Sequence, residues 1–122
     1  MSKQSIKLIF ITITVIAMYG IFKSMFVQTD NNQLKEAIKN GAFLVDVRTP
    51  AEFSADSVKG AVNIPLDKVP DQLAKFKNKE SIVVFCRSGN RSSQAKSILE
   101  QNGFQNVING GTWENVNSIV NE

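Results

Sequence analysis

Histidine is absent from this 122-residue sequence, and cysteine occurs once, at Cys86. The first absence removes imidazole as a general base and, with it, the usual zinc constellations; the second removes any intrachain disulfide. A charge excess is also missing where it would matter. Fourteen basic residues face eleven acidic ones, yet Lys3, Lys7 and Lys23 lie in or beside the first hydrophobic stretch. Setting those three aside leaves eleven of each sign from Gln28 onward. A neutral domain has no electrostatic footprint for nucleic acid, and none is expected as a partner. The residue types present call for no cofactor and no metal. The length suits one domain with its own core and leaves no room for two catalytic domains.

What is present begins with an uncharged, apolar run, Leu8 to Phe22. As a helix it would extend roughly 22 Å, short for a bilayer. If Lys23 snorkels to the headgroups, Met25, Phe26 and Val27 prolong the run over residues 8–27, roughly 30 Å and long enough to span. The rival is a cleaved signal peptide with Lys3 and Lys7 as its basic n-region, but no small-residue cleavage site follows. The sequence therefore predicts a membrane anchor over residues 1–28 and a domain over 29–122. Lys3 and Lys7 before the span favour a cytoplasmic N-terminus, so the domain would face outward, the periplasmic side in a bacterium. A cleaved leader would make it secreted or periplasmic instead.

Beyond a polar linker, Asp30 and Gln33 resemble a capping box, followed by Leu34, Ala37 and Ile38 at helical spacing and by Gly41 as a stop. Ala42 to Val47 and Ser81 to Phe85 are short, unalternated apolar runs, as expected of strands buried on both faces of a parallel sheet. Val62 to Ile64 and Val107 to Ile108 are shorter candidates. Val69, Leu73 and Phe76 fall on one helical face, as do Ala95, Ile98 and Leu99 in a segment ended by Gly103. Trp113, Val116 and Val120 mark a last amphipathic helix. Strands alternating with helices imply an α/β fold with a mainly parallel sheet flanked by helices.

The chemistry concentrates between Ser81 and Gln101: an apolar strand, then Cys86-Arg87-Ser88-Gly89-Asn90-Arg91-Ser92, then an amphipathic helix. The cysteine thus stands at the C-terminal end of a strand, where open α/β sheets form their ligand crevices. Gly89 permits a turn in which successive N–H groups from Arg87 to Ser92 converge on an anion at the helix N-terminus. Those groups, the helix dipole, Arg87 and Arg91 all favour a thiolate, giving a nucleophile at neutral pH without histidine. A lone cysteine closing a strand is ordinarily a small buried hydrophobe; the six polar, basic, glycine-containing residues after it argue otherwise. Asp46, at the end of a buried strand, needs partners such as loop N–H groups or an arginine. Arg48 and Glu52 are spaced to pair and brace the next turn.

Four blocks, Phe43 to Phe53, Gly60 to Pro65, Ile82 to Ser92 and Val107 to Val116, resemble the rhodanese family in the family's own order. The resemblance implies a rhodanese-like domain and a persulfide mechanism. Cys86 would take a sulfane sulfur from a donor such as thiosulfate and pass it to cyanide, a thiol or a protein acceptor. Arg87, Ser88, Gly89, Asn90, Arg91 and Ser92 would bind the substrate, while Asp46 and Arg48 match the family's Asp-x-Arg element and, with Glu52, would support the site without acting in it. The family often carries Gly-His after its Glu-Phe element; here Asp56-Ser57 stand instead, which bears on substrate preference and local packing. Cysteine phosphatases and arsenate reductases of similar architecture use a Cys-x5-Arg loop, whereas only four residues separate Cys86 from Arg91. A dithiol oxidoreductase would need a second cysteine. The remaining alternative is a membrane-tethered binding or sulfur-carrier module without turnover of its own.

Overall fold

Strand β1 (Phe43–Asp46) and strand β3 (Ile82–Cys86) form the centre of a four-stranded sheet, with β2 (Val62–Asn63) outside β1 and β4 (Val107–Thr112) outside β3. Every neighbouring pair is parallel, with Phe43 opposite Ile82 and Val45 opposite Val62. The computed structural model describes residues 31–122. The expected span over residues 8–27, the boundary at residue 28 and the capping role of Asp30 lie outside the described residues.

All five residues of β3 are buried, which is why the run Ser81 to Phe85 shows no polar alternation. Successive side chains still point to opposite faces. On one face Val45, Val47, Ile82, Val84 and Cys86 pack with Ile64, Val69, Phe76, Ala95 and Leu99. On the other, Leu44, Val83 and Phe85 pack with Leu34, Val58, Val116 and Ile119. Helix α3 (Asn90–Gln101) therefore covers the first face, and helices α1 (Asn31–Lys39) and α4 (Trp113–Val120) the second. This is the α/β arrangement expected from the sequence, with Gly41 in the left-handed region just past α1. Among the described residues no helix is long and apolar enough to cross a membrane.

The segment carrying Val69, Leu73 and Phe76 differs from expectation. It forms two 3-10 stretches, Leu66–Asp71 and Leu73–Phe76, rather than one α-helix. Pro70 lies inside the first stretch and has no N–H to give, so the chain closes short bonds such as Lys68 N–H to Pro65 O at 2.8 Å. Val69 and Phe76 are nevertheless buried, so their spacing reported burial correctly and helix type wrongly.

Helix α2 (Pro50–Ala55) follows β1 at the C-terminal end of the sheet and is fixed by its N-terminus. Thr49 Oγ1 accepts from Glu52 N–H at 3.2 Å while Glu52 Oε1 accepts from Thr49 N–H at 3.1 Å, with Pro50 in the first turn. That reciprocal cap is worth about 1 kcal/mol and aims the Glu52 carboxylate at the neighbouring loop.

Candidate active site

β3 ends at Cys86, and the next residues turn through Gly89, whose φ of 94° lies in the left-handed region, into α3. The turn folds the chain back over the sulfur. Gly89 N–H donates to Cys86 Sγ at 3.0 Å and Ser92 N–H at 3.4 Å, with the Ser92 hydroxyl at 3.5 Å. Of the N–H groups from Arg87 to Ser92 expected to converge, those of Gly89 and Ser92 point at the sulfur. Burial pushes the Cys86 thiol up, but the Ser92 hydroxyl and the N–H groups of Ser92, Ser88 and Gly89 together outweigh it, and the net direction is down. The acidity comes chiefly from neutral donors held in place, and the nearby Arg91 charge acts in the same direction.

The arginines do other work. Arg91 reaches across to α2 and grips Glu52 with both terminal nitrogens, Nη1 to Oε1 at 2.7 Å and Nη2 to Oε2 at 3.0 Å. The Arg91 guanidinium first, then Thr49, holds the Glu52 carboxyl down at about 2. Arg91 still lies close enough to Cys86 for the sulfur's charge to favour its protonated form. Arg87 is exposed beside the loop, as are Ser88 and Asn90.

Arg48 does not pair with Glu52, as its spacing suggested. It folds back on Asp46, whose Oδ1 accepts from Arg48 N–H at 2.9 Å and Nε at 3.0 Å, and whose Oδ2 accepts from Nε at 2.9 Å and Nη2 at 2.8 Å. The reason is local: two residues apart at a strand end, the pair shares one buried pocket. Asp46 is 0% exposed and Arg48 4%. Arg48 Nη2 also donates to Asp56 O at 2.7 Å, and the guanidinium lies 4.9 Å from the Trp113 ring centroid. Asn63 Nδ2 then donates to the carbonyls of Asp46 and Arg48, both at 3.0 Å, tying β2 to the turn. The Asp46–Arg48 pair lies in the scaffold, and Glu52 is what connects that scaffold to the loop.

Three contributors escaped the sequence reading. Asn63 and Trp113 brace the Asp46–Arg48 turn. Asn109, in β4, accepts from Ser92 Oγ at 2.7 Å and from Gly111 N–H at 2.9 Å. The only sequence signal for Asn109 is its place just before Gly110-Gly111, where a strand must bulge: Val84 pairs with Asn109 and Phe85 with Gly111, leaving Gly110 over. Among the described residues no cluster of carboxylates and cysteine could hold a metal.

A strand-end cysteine under a loop of inward N–H groups, on a parallel four-stranded α/β sheet, defines a class of anion-cradling cysteine domains. The chain belongs to the rhodanese family, the model of the Rhodanese-like domain matching residues 30–114. Thiosulfate sulfurtransferase PspE of Escherichia coli is 37% identical over 75 residues, covering 59% of this chain and 71% of that protein. A sulfurtransferase of Allochromatium vinosum is 32% identical over 84 residues, 67% of this chain and 78% of its own. A solved structure of an E. coli rhodanese with anions matches with a TM-score of 0.57 at 34% identity, covering 62% of this chain and 91% of that one.

Proposed function

We propose that this protein is a rhodanese-type sulfurtransferase that carries sulfane sulfur on Cys86. The observation that carries the reading is the cradle of Gly89 N–H, Ser92 N–H and Ser92 hydroxyl, at 3.0, 3.4 and 3.5 Å from one sulfur. Fixed donors aimed at a sulfur favour its anion and need no base to create it. The relatives named as sulfurtransferases support the same chemistry.

In the first half-reaction the Cys86 thiolate attacks the outer sulfur of a donor such as thiosulfate. A bond forms between Sγ and that sulfur, the donor's own S–S bond breaks, and sulfite leaves with the electron pair. The negative charge now rests on the terminal sulfur of the persulfide, where the loop N–H groups continue to oppose it. In the second half-reaction cyanide or a thiolate attacks the terminal sulfur, the Cys86 S–S bond breaks, and the thiolate returns. With cyanide the product is thiocyanate; with a thiol, a new persulfide. Charge and electrons balance without a cofactor. Exposed Arg87 draws the anionic donor to the loop, while Arg91, held by Glu52, lends its field without leaving its partner. A protein thiol serves as acceptor by the same second step.

The hydrophobic run over residues 8–27 supports the further reading that a membrane anchor holds a domain of residues 29–122 on the extracytoplasmic side. Alkaline extraction should leave the full chain with the membranes; recovery in the supernatant would remove the anchor.

For the chemistry, the intact mass of the full-length protein is measured before thiosulfate, after it, and after cyanide. Gain of one sulfur atom that cyanide removes, and that the Cys86→Ser variant never shows, is expected. No gain with a range of sulfane donors would leave a binding module instead.

A further inference from the structure

Ser92 has one hydroxyl proton and three neighbours that could take it. Asn109 Oδ1 lies at 2.7 Å, Gly89 O at 3.0 Å and Cys86 Sγ at 3.5 Å. The orientation of the Asn109 amide is fixed from both sides. Gly111 N–H, which can only donate, points at Oδ1 at 2.9 Å, and Nδ2 faces Gly89 O at 3.4 Å. Turning the amide over would set donor against donor and acceptor against acceptor, so Oδ1 is the acceptor that Ser92 meets.

The sulfur has the complementary constraint. Gly89 N–H and Ser92 N–H approach it and can only donate. A protonated Cys86 therefore finds its acceptor in Ser92 Oγ, and while it donates there the Ser92 proton must point away, to Asn109 first. When Cys86 ionises, the sulfur becomes a rival acceptor for that hydroxyl, at 3.5 Å against 2.7 Å for Asn109 Oδ1. The Ser92–Asn109 bond therefore favours the thiol, whose sulfur makes no claim on the hydroxyl proton.

We propose that Asn109 is a positioning residue which holds back the ionisation of Cys86 by competing with its sulfur for the single Ser92 hydroxyl proton. It acts through Ser92 and touches no reacting atom. The consequence for the reaction is a balance: a sulfur too acidic is a poor nucleophile, because nucleophilicity falls with basicity. Asn109 moderates what the N–H cradle would otherwise drive further. The inference rests on Cys86 as the sulfur-carrying group, but its test reads protonation and not transfer.

The other charged groups around the site have partners of their own or face solvent. Arg91 is gripped by Glu52, Asp46 and Arg48 close on each other, and Arg87 is exposed. With one cysteine in the chain, the ultraviolet absorbance of the thiolate, with the Cys86→Ser protein as blank, reports one titration.

The midpoint is measured on the full chain for Asn109→Ala, Ser92→Ala and the double variant. Asn109→Ala should lower the midpoint by about 0.5 to 1 pH unit, the worth of one neutral hydrogen bond shared in part with Gly89 O. Ser92→Ala should raise it, and adding Asn109→Ala to Ser92→Ala should then change nothing. A merely structural Asn109 would give the opposite sign, since slackening the loop withdraws donors from the sulfur. A midpoint that rises or stays in Asn109→Ala, or an equal shift with and without Ser92, overturns the proposal. Asn109→Asp, which keeps the shape, gives a second reading: it should raise the midpoint more with Ser92 present than without it, and equal rises overturn the proposal. Wild-type protein that behaves this way yet takes up no sulfur would refute the sulfurtransferase reading and leave the proton sharing intact.

Discussion

Replacing Asp46 by Asn tests the claim that the Asp46–Arg48 pair is scaffold. The pair is sealed, with Asp46 0% and Arg48 4% exposed, and the carboxylate accepts four contacts from Arg48, one of them the backbone N–H. Asn keeps the shape but removes the charge and turns an NH2 group toward guanidinium donors. Arg48 then stays buried with a neutral amide oxygen, Asp56 O and the Trp113 face as partners, and its charge is left uncompensated. Stranding one member of such a pair costs about 3 to 5 kcal/mol. Domains of this size hold roughly 5 to 15 kcal/mol in all, so the loss is about a fifth of the stability or more and lowers Tm by some 12 °C or more. The assay is urea unfolding followed by circular dichroism, with the midpoint falling and the slope unchanged. The double variant Asp46→Asn with Arg48→Met should recover much of the loss, because it leaves no unpaired charge. A single-variant loss under about 1 kcal/mol would refute the reasoning, as would a double variant worse than the single. Whatever remains folded should transfer sulfur at the wild-type rate.

Further outcomes are expected at the loop and beneath it. Gly110→Ala would put a Cβ 2.8 Å from Val116 Cγ2 and 3.0 Å from Val83 Cγ1, so a stability loss of about 1 to 3 kcal/mol is expected in thermal melts. Gly89→Ala has room, its nearest neighbour being Gly111 Cα at 3.6 Å, but must hold a φ of 94°. That strain costs about 1 to 2 kcal/mol and tilts the N–H off the sulfur, so the thiolate titration should move up. For Glu52 the folded carboxyl, at about 2, lies below its ordinary 4.5. Its pairing with Arg91 is therefore fully stabilising above that ordinary value and is lost as pH falls toward 2. Glu52→Gln should cost about 1 kcal/mol or less at neutral pH, because the pair is partly solvated, and the difference from wild type should vanish in acid. A difference that persists there would assign the loss to the helix cap.

The legible parts of the fold were those where one residue type settles the backbone or the burial. Unbroken apolar runs marked β1 and β3, and Gly41 marked the end of α1. The loop from Cys86 to Ser92 was legible because a cysteine, a glycine and two arginines in seven positions leave few uses for that stretch. Partners were harder. Arg48 was assigned to Glu52 by their spacing across the turn, but the side chain chose the carboxylate two residues back that shares its buried pocket. Pro70 showed that the right spacing for burial does not guarantee the hydrogen bonds of an α-helix. Asn109 was invisible because its role depends on β4 lying beside β3, a pairing between residues more than twenty apart in sequence.

The complete burial of Cys86 also bears on how the protein would age under oxidants. Thiolates are ordinarily lost to sulfenic and then sulfinic acid in proportion to both their charge and their exposure. Here the charge is raised on a sulfur that reactants reach only past the loop, and a path that admits thiosulfate also admits a smaller peroxide. A sulfenic acid formed here has no second cysteine in the chain to capture it as a disulfide. Repair must come from an outside thiol.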